Sequence, residues 1–260
     1  MQNKIIRSEL EKIEKEHNVR ILYACESGSR AWGFHSKDSD YDVRFIYIHP
    51  IEWYLSIYEK RDVIEIPIDD VLDINGWDIR KALKLFRKSN PPMLEWLQSP
   101  IVYLEQFSVA QEIRNLIPTA FSPISSLNHY LGMAKGNYRN YLQGDMVRIK
   151  KYFYVLRPIL ASKWIVENGT VPPIKFDVLV EAIIPKGQLK SEIISLLERK
   201  KASNELDNEP RKAVINDYIK RNIAHLDNYI KTISKIKQTD EKVFDSLFRK
   251  ALKEVWGHFY

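Results

Sequence analysis

Residues 26–44 read ESGSRAWGFHSKDSDYDVR and run directly into Phe45-Ile46-Tyr47-Ile48. The apolar run at 19–24 reads as a buried strand, and residues 41–48, rich in Val, Phe, Ile and Tyr, as a second. Between them, Gly28-Ser29 forms a small-residue turn that lets backbone N–H groups and one hydroxyl approach a phosphate chain, where a larger side chain would block it. Asp40 and Asp42 are two apart, so on a strand both carboxylates leave one face while Tyr41 and Val43 leave the other. Two hard oxygen donors side by side suit Mg2+ (or Mn2+), which takes one or two carboxylates together with phosphate oxygens. Arg44 shares the parity of both aspartates.

Working outward, residues 8–17 carry alternating charges with Leu10 and Ile13 at helical spacing. The runs 63–68 and 71–74, separated by Asp69 and Asp70, predict a hairpin, and helical periodicity resumes over 79–86 and 93–97. Beyond residue 122 the strand signals fade, and 127–142, 149–166, 189–201, 211–236 and 241–256 read as helices. Residues 170–173 and 202–210, with their Pro, Asn and charges, read as exposed connections. The expected fold class is α+β: a mixed-sheet head over 1–120 followed by an all-helical half over 121–260.

Composition narrows the function classes. With 260 residues, 45% hydrophobic and 12% aromatic, the chain has apolar surface for one or two cores and is neither disordered nor collagenous. The single cysteine, Cys25, removes an intramolecular disulfide and a cysteine zinc site, and six scattered histidines offer no HxH or HExxH spacing. No apolar run approaches the roughly 20 residues that cross a bilayer, and the N-terminus is charged. A soluble, cytoplasmic protein is expected. The net charge of +6 is uneven: residues 1–120 hold 16 Lys+Arg against 19 Asp+Glu, and residues 121–260 hold 24 against 15. That split is compatible with two ordinary solvated surfaces, or with a carboxylate metal site facing a surface that attracts phosphates.

Taken singly, a Gly-Ser dipeptide is a common turn and DSDYD a common Asx-rich loop. Their order carries more: Gly28-Ser29, ten intervening residues, then Asp40-x-Asp42 on a strand match the signature of the polymerase-beta-like nucleotidyltransferase superfamily. More narrowly, residues 26–34 and 39–47 resemble the RlaP-like nucleotidyltransferases, also called the YcgL family. The stretches GWDIRK at 76–81, Asn90-Pro91, Glu95-Trp96-Leu97, Ser99-Pro100 and KKYFYVLR at 150–157 extend the resemblance over most of residues 20–165.

The resemblance implies a polymerase-beta-like head and Mg2+-dependent transfer of a nucleoside monophosphate from an NTP, ATP favoured, with release of pyrophosphate. RNA is the implied acceptor, in RNA repair or end modification. It further implies a third carboxylate on a neighbouring strand, flanked by hydrophobic residues. Asp73, between Leu72 and Ile74, is the choice; Glu65 has the same local pattern, and Asp78 heads the next helix, where a capping role is the ordinary one. Asp40, Asp42 and Asp73 are then the catalytic and metal-binding set. Gly28, Ser29, Arg30 and Arg44 are candidates for the triphosphate, the two arginines being equally readable as ion-pair partners of nearby carboxylates.

In the second half, Lys150, Tyr154 and Arg157 fall at i, i+4 and i+7 and share one helix face, with Lys151 close to it. Such a stripe is usually a solvated face around one core tyrosine. Beside a head short of positive charge, Lys151 and Arg157 are expected to reach the triphosphate and Tyr154 to support a base. Lys135 and Arg139 on the preceding helix extend the same positive surface, and Lys81 at the start of the helix over 79–86 is another candidate. Trp32, Trp77, Trp96 and Trp164 read as packing residues, and Cys25 as a small apolar one. Two rival functions keep the same residues: transfer to a protein or small-molecule hydroxyl, and a non-catalytic nucleotide or RNA sensor.

Overall fold

The computed structural model describes residues 2–67, 71–202, 208–233 and 239–257. The expected turn at Asp69 and Asp70, together with Ile68, lies outside the described residues, as do 203–207 and 234–236 of the segments expected to be a connection and a helix. In chain order the first half holds α1 (Gln2–His17), β1 (Arg20–Glu26), α2 (Gly28–Trp32), β2 (Tyr41–Ile48), α3 (Ile51–Tyr54), β3 (Val63–Glu65), β4 (Leu72–Asp78), α4 (Ile79–Arg87), α5 (Pro91–Leu97), β5 (Val102–Glu105) and α6 (Val109–Ala120). The second half holds α7 (Pro123–Tyr141), β6 (Met146–Arg148), α8 (Ile149–Asn168), α9 (Phe176–Ile183), α10 (Gln188–Ala202), β7 (Asn208–Pro210), α11 (Ala213–Thr232) and α12 (Glu241–Trp256).

The head is a mixed sheet in the order β3-β4-β2-β1-β5. β2 runs antiparallel to β1 and parallel to β4, while β3–β4 and β1–β5 are antiparallel. β1 is buried at every position from Ile21 to Glu26, which accounts for its continuous apolar run: it is the inner strand of a sheet covered on both faces. On one face Leu22, Cys25, Ile46 and Ile48 pack under α4, α5 and α6. On the other, Ala24, Val43, Phe45 and Ile74 pack under Ile6, Leu10 and Ile13 of α1, the i, i+4, i+7 stripe of an amphipathic helix.

The helical half has its own core around α7, α8, α9 and α11. Phe34, from the head, enters that core and stacks on Phe153 with ring centroids 4.9 Å apart. The hydrophobic face of α12 returns to the head, where Phe244 meets Phe86. The expected strand at 41–48 is found with those ends, and the expected strand from Val71 starts at Leu72 and continues through Gly76 to Asp78. The second half also contains a two-stranded ribbon, β6 with β7, of three residues each. Among the described residues no helix is long and apolar enough to cross a membrane.

Candidate active site

β1 ends at Glu26, and the chain turns through Ser27 into α2. Gly28 has φ of +58°, and a Cβ built on it would lie 2.0 Å from Asp42 Oδ2 and 2.8 Å from Asp42 Cγ. Glycine is therefore required both by the left-handed backbone and by the carboxylate that rests on its Cα. The Ser27 N–H donates to the Asp42 carbonyl at 2.8 Å, which holds the turn against the start of β2. A cleft of about 320 Å3 opens there, lined on the head side by Gly28, Ser29, Trp32, Asp40, Asp42 and Arg44. Lys150 and Tyr154 of α8 line it from the helical half. A larger groove between α6 and α12, about 560 Å3, has its acid Glu112 already paired with Lys250.

The parallel pairing of β2 with β4 sets Asp73 directly beside Asp42. One guanidinium ties the two together: Arg44 Nη2 donates to Asp42 Oδ1 at 2.9 Å and to Asp73 Oδ2 at 2.7 Å, while Nη1 donates to the Asp73 carbonyl at 2.9 Å. Of the three alternatives for a neighbouring acid, this is the one the fold brings to Asp42. Glu65 lies at the sheet edge, paired with Arg61 and bonded by Asn75. Asp78 is at the far end of β4, fully buried, and caps α4: its Oδ1 accepts from the Arg80 N–H at 2.9 Å and its Oδ2 from the Tyr54 hydroxyl at 2.6 Å. Burial pushes its carboxyl above the ordinary range.

Among the described residues no group of three or more His, Cys, Asp or Glu side chains is arranged to hold a metal ion. Mg2+ does not need such a cage, since phosphate oxygens complete its shell, so the carboxylates of Asp40 and Asp42 lining one cleft fit it by donor chemistry.

A residue beneath the cleft has no role in the sequence pattern yet shapes the site. Glu26 is fully buried; its Oε1 accepts from the Asp42 N–H at 2.8 Å, and its Oε2 accepts from the Tyr103 hydroxyl. Burial raises its carboxyl above the usual range. The signal for it in the sequence is an acid closing an otherwise apolar strand. Cys25 beside it is buried, its thiol pushed up to about 12 by burial, and so is inert, in line with its reading as a small apolar residue.

The basic candidates separate. Arg30 stacks on the Tyr41 ring at 3.7 Å and donates to the carbonyls of Ser39, at 2.7 Å, and Asp40, at 3.0 Å, so it fixes the loop that presents Asp40. Lys151 lies over the rings of Tyr141, at 3.8 Å, and Tyr154, at 5.0 Å. Arg157 is not brought to the cleft. It is 3% exposed, and its Nη1 donates to Glu95 Oε1 at 2.7 Å. The helix explains this: seven residues advance about 10 Å along the axis, so a shared face with Lys150 ends deep in the junction between the halves. Lys81 pairs with Asp62, and Lys135 with Asp227. Trp96 is buried and stacks on Trp77 at 3.8 Å. Trp32, read as packing, also walls the cleft.

A model of the RlaP family, described as the RNA repair pathway DNA polymerase beta family, matches residues 1–250. The protein YcgL of Bacillus subtilis (strain 168) is 51% identical over 256 residues, 98% of each chain. Among solved structures, spectinomycin adenyltransferase AAD(9) from Enterococcus faecialis, with ATP and spectinomycin, aligns over 86% of this chain and 98% of its own at 12% identity and a TM-score of 0.44. A nucleotidyltransferase-like protein from Exiguobacterium sibiricum 255-15 aligns over 87% and 75% at 11% identity and a TM-score of 0.33. With a sheet-bearing head, a helical second half and a family match over nearly its whole length, the chain belongs to the RNA repair pathway DNA polymerase beta family.

Proposed function

We propose that this chain transfers a nucleoside monophosphate from an NTP, ATP first, to a hydroxyl of RNA, with Mg2+ or Mn2+ as its cation. The observation that carries the reading is the meeting of Gly28, Ser29, Asp40 and Asp42 in one cleft, with Asp73 in register beside Asp42. RNA as acceptor is supported by the family's description as an RNA repair family and by the excess of Lys and Arg over residues 121–260.

In this reading Asp40 and Asp42 hold the cation. When bound, it neutralises phosphate charge and lowers the pKa of the acceptor hydroxyl. The Gly28 turn and the Ser29 hydroxyl seat the β and γ phosphates, and Lys150 contributes positive charge from α8. Arg44 orients Asp42 and Asp73 as their ion-pair partner. The acceptor oxygen bonds to the α phosphorus, the bond from that phosphorus to the bridging α–β oxygen breaks, and pyrophosphate leaves. Asp73 takes the acceptor's proton, directly or through water. Tyr154 supports the base beside Trp32.

The test incubates pure protein with α-labelled ATP, Mg2+ and RNA. Labelled RNA is expected, with a loss of about a hundredfold or more in Asp40→Ala and Asp42→Ala. Wild-type rates in both variants overturn the assignment. Label on a protein or small molecule instead of RNA moves the acceptor, and nucleotide binding without pyrophosphate release makes the protein a sensor.

A further inference from the structure

We propose that Glu95, which lies outside the cleft, is a positioning residue that sets the distance between its two walls. The proposal rests on the nucleotide reading of that cleft. Glu95 is on α5 in the head and is 8% exposed. An isolated carboxylate at that depth is costly, so its partners decide where it is tolerated. Three donors reach it from three other elements: Trp32 Nε1 of α2 at 3.1 Å, the Tyr130 hydroxyl of α7 at 2.8 Å and Arg157 Nη1 of α8 at 2.7 Å. Two come from the helical half and one from the head, so the carboxylate is satisfied only when the halves are docked in this register.

The same contacts run to both walls. Trp32 lines the cleft on the head side. Arg157 sits on the helix that supplies Lys150 and Tyr154, and its guanidinium also lies over the Trp32 ring, 4.5 Å from the centroid. Tyr154 meets Trp32 edge-on at 6.4 Å. One carboxylate thus fixes the indole by its N–H and the opposing helix by its arginine. Loosening it widens the nucleotide seat while leaving Asp40, Asp42 and Asp73 in place, so nucleotide affinity falls before the chemical step does.

Two variants test this, with ATP and its non-hydrolysable analogue as probes. Glu95→Gln keeps the size of the side chain and removes its charge. The double variant Glu95→Leu with Arg157→Met removes both buried charges, an exchange that often restores stability. The expected result is a KM for ATP and a Kd for the analogue raised about tenfold, short of the hundredfold that a 1 Å misplacement costs, with kcat near wild type. The double variant should be more stable than Arg157→Met alone, though below wild type because the Tyr130 hydroxyl and Trp32 indole N–H lose their acceptor, and should keep the raised KM. The Trp32 indole N–H resonance, assigned with Trp32→Phe, should shift in both. A double variant with wild-type KM overturns the proposal and leaves a purely structural ion pair. Unchanged nucleotide affinity with an unmoved Trp32 resonance in Glu95→Gln overturns it as well. Failure of the wild type itself to bind nucleotide overturns the reading of the cleft, and this proposal with it.

Discussion

Replacing Gly28 with alanine tests the seat where Asp42 meets the turn. The new Cβ would stand 2.0 Å from Asp42 Oδ2, so the carboxylate has to retreat by more than an ångström. That retreat strains the 2.9 Å bond from Arg44, a charged hydrogen bond worth about 1.5–3 kcal/mol, towards the lower figure here because both partners are partly exposed. Holding an L-residue at φ +58° adds about 1–2 kcal/mol. The sum, about 2.5–4 kcal/mol, corresponds to a Tm lowered by roughly 5–15 °C in a chain of this size. Gly33→Ala is the control: φ is +84°, but nothing lies within 4 Å of the added Cβ, so only the backbone cost applies. Scanning calorimetry with labelled ATP transfer to RNA should separate the two. Gly28→Ala should lose about a hundredfold in transfer and Gly33→Ala should keep its rate. Equal stability and equal transfer in the two variants would refute a functional contact between Gly28 and Asp42.

Two further outcomes follow from buried charge. Arg157→Met leaves the Glu95 carboxylate buried without its cation and should cost about 3–5 kcal/mol in urea unfolding; a loss below about 1 kcal/mol would contradict the pairing. His49 is buried, stacked on Trp53 at 4.0 Å, and burial lowers its pKa to about 4, so the folded state favours the neutral ring. Its contribution is complete above the ordinary value near 6.5 and is lost as pH falls through about 4, at most about 3 kcal/mol. His49→Phe should flatten the stability profile over that window, and an unchanged slope would show that the ring is not buried neutral.

Local order makes part of the site legible in the sequence. Gly28-Ser29 and Asp40-x-Asp42 are close in the chain; only Asp42 lies on β2, while Asp40 stands in the loop just before it, where Arg30 rather than strand alternation holds it to the cleft. Asp73 is the favoured third acid, but its register beside Asp42 depends on a parallel pairing across 31 residues, which periodicity does not encode. Arg157 illustrates the opposite failure. Spacing gives its angular position on α8, but a helical wheel carries no depth, and depth decides whether the guanidinium meets phosphate or Glu95. Glu26 shows in the sequence only as an acid closing an apolar strand, and Glu95 not at all, because the role of a buried acid is set by donors that come from distant elements. β5 has four residues, and β6 and β7 have three each, too short for alternation to distinguish from loop.

Manganese binding, followed by electron paramagnetic resonance with a non-hydrolysable ATP analogue present, probes the paired aspartates without requiring the acceptor. Wild-type protein should bind Mn2+ together with the nucleotide, and Asp42→Asn and Asp40→Asn should each weaken that binding at least tenfold, the smallest effect typical of altering a metal site. Equal Mn2+ affinity in the wild type and both variants would contradict a metal role for the pair.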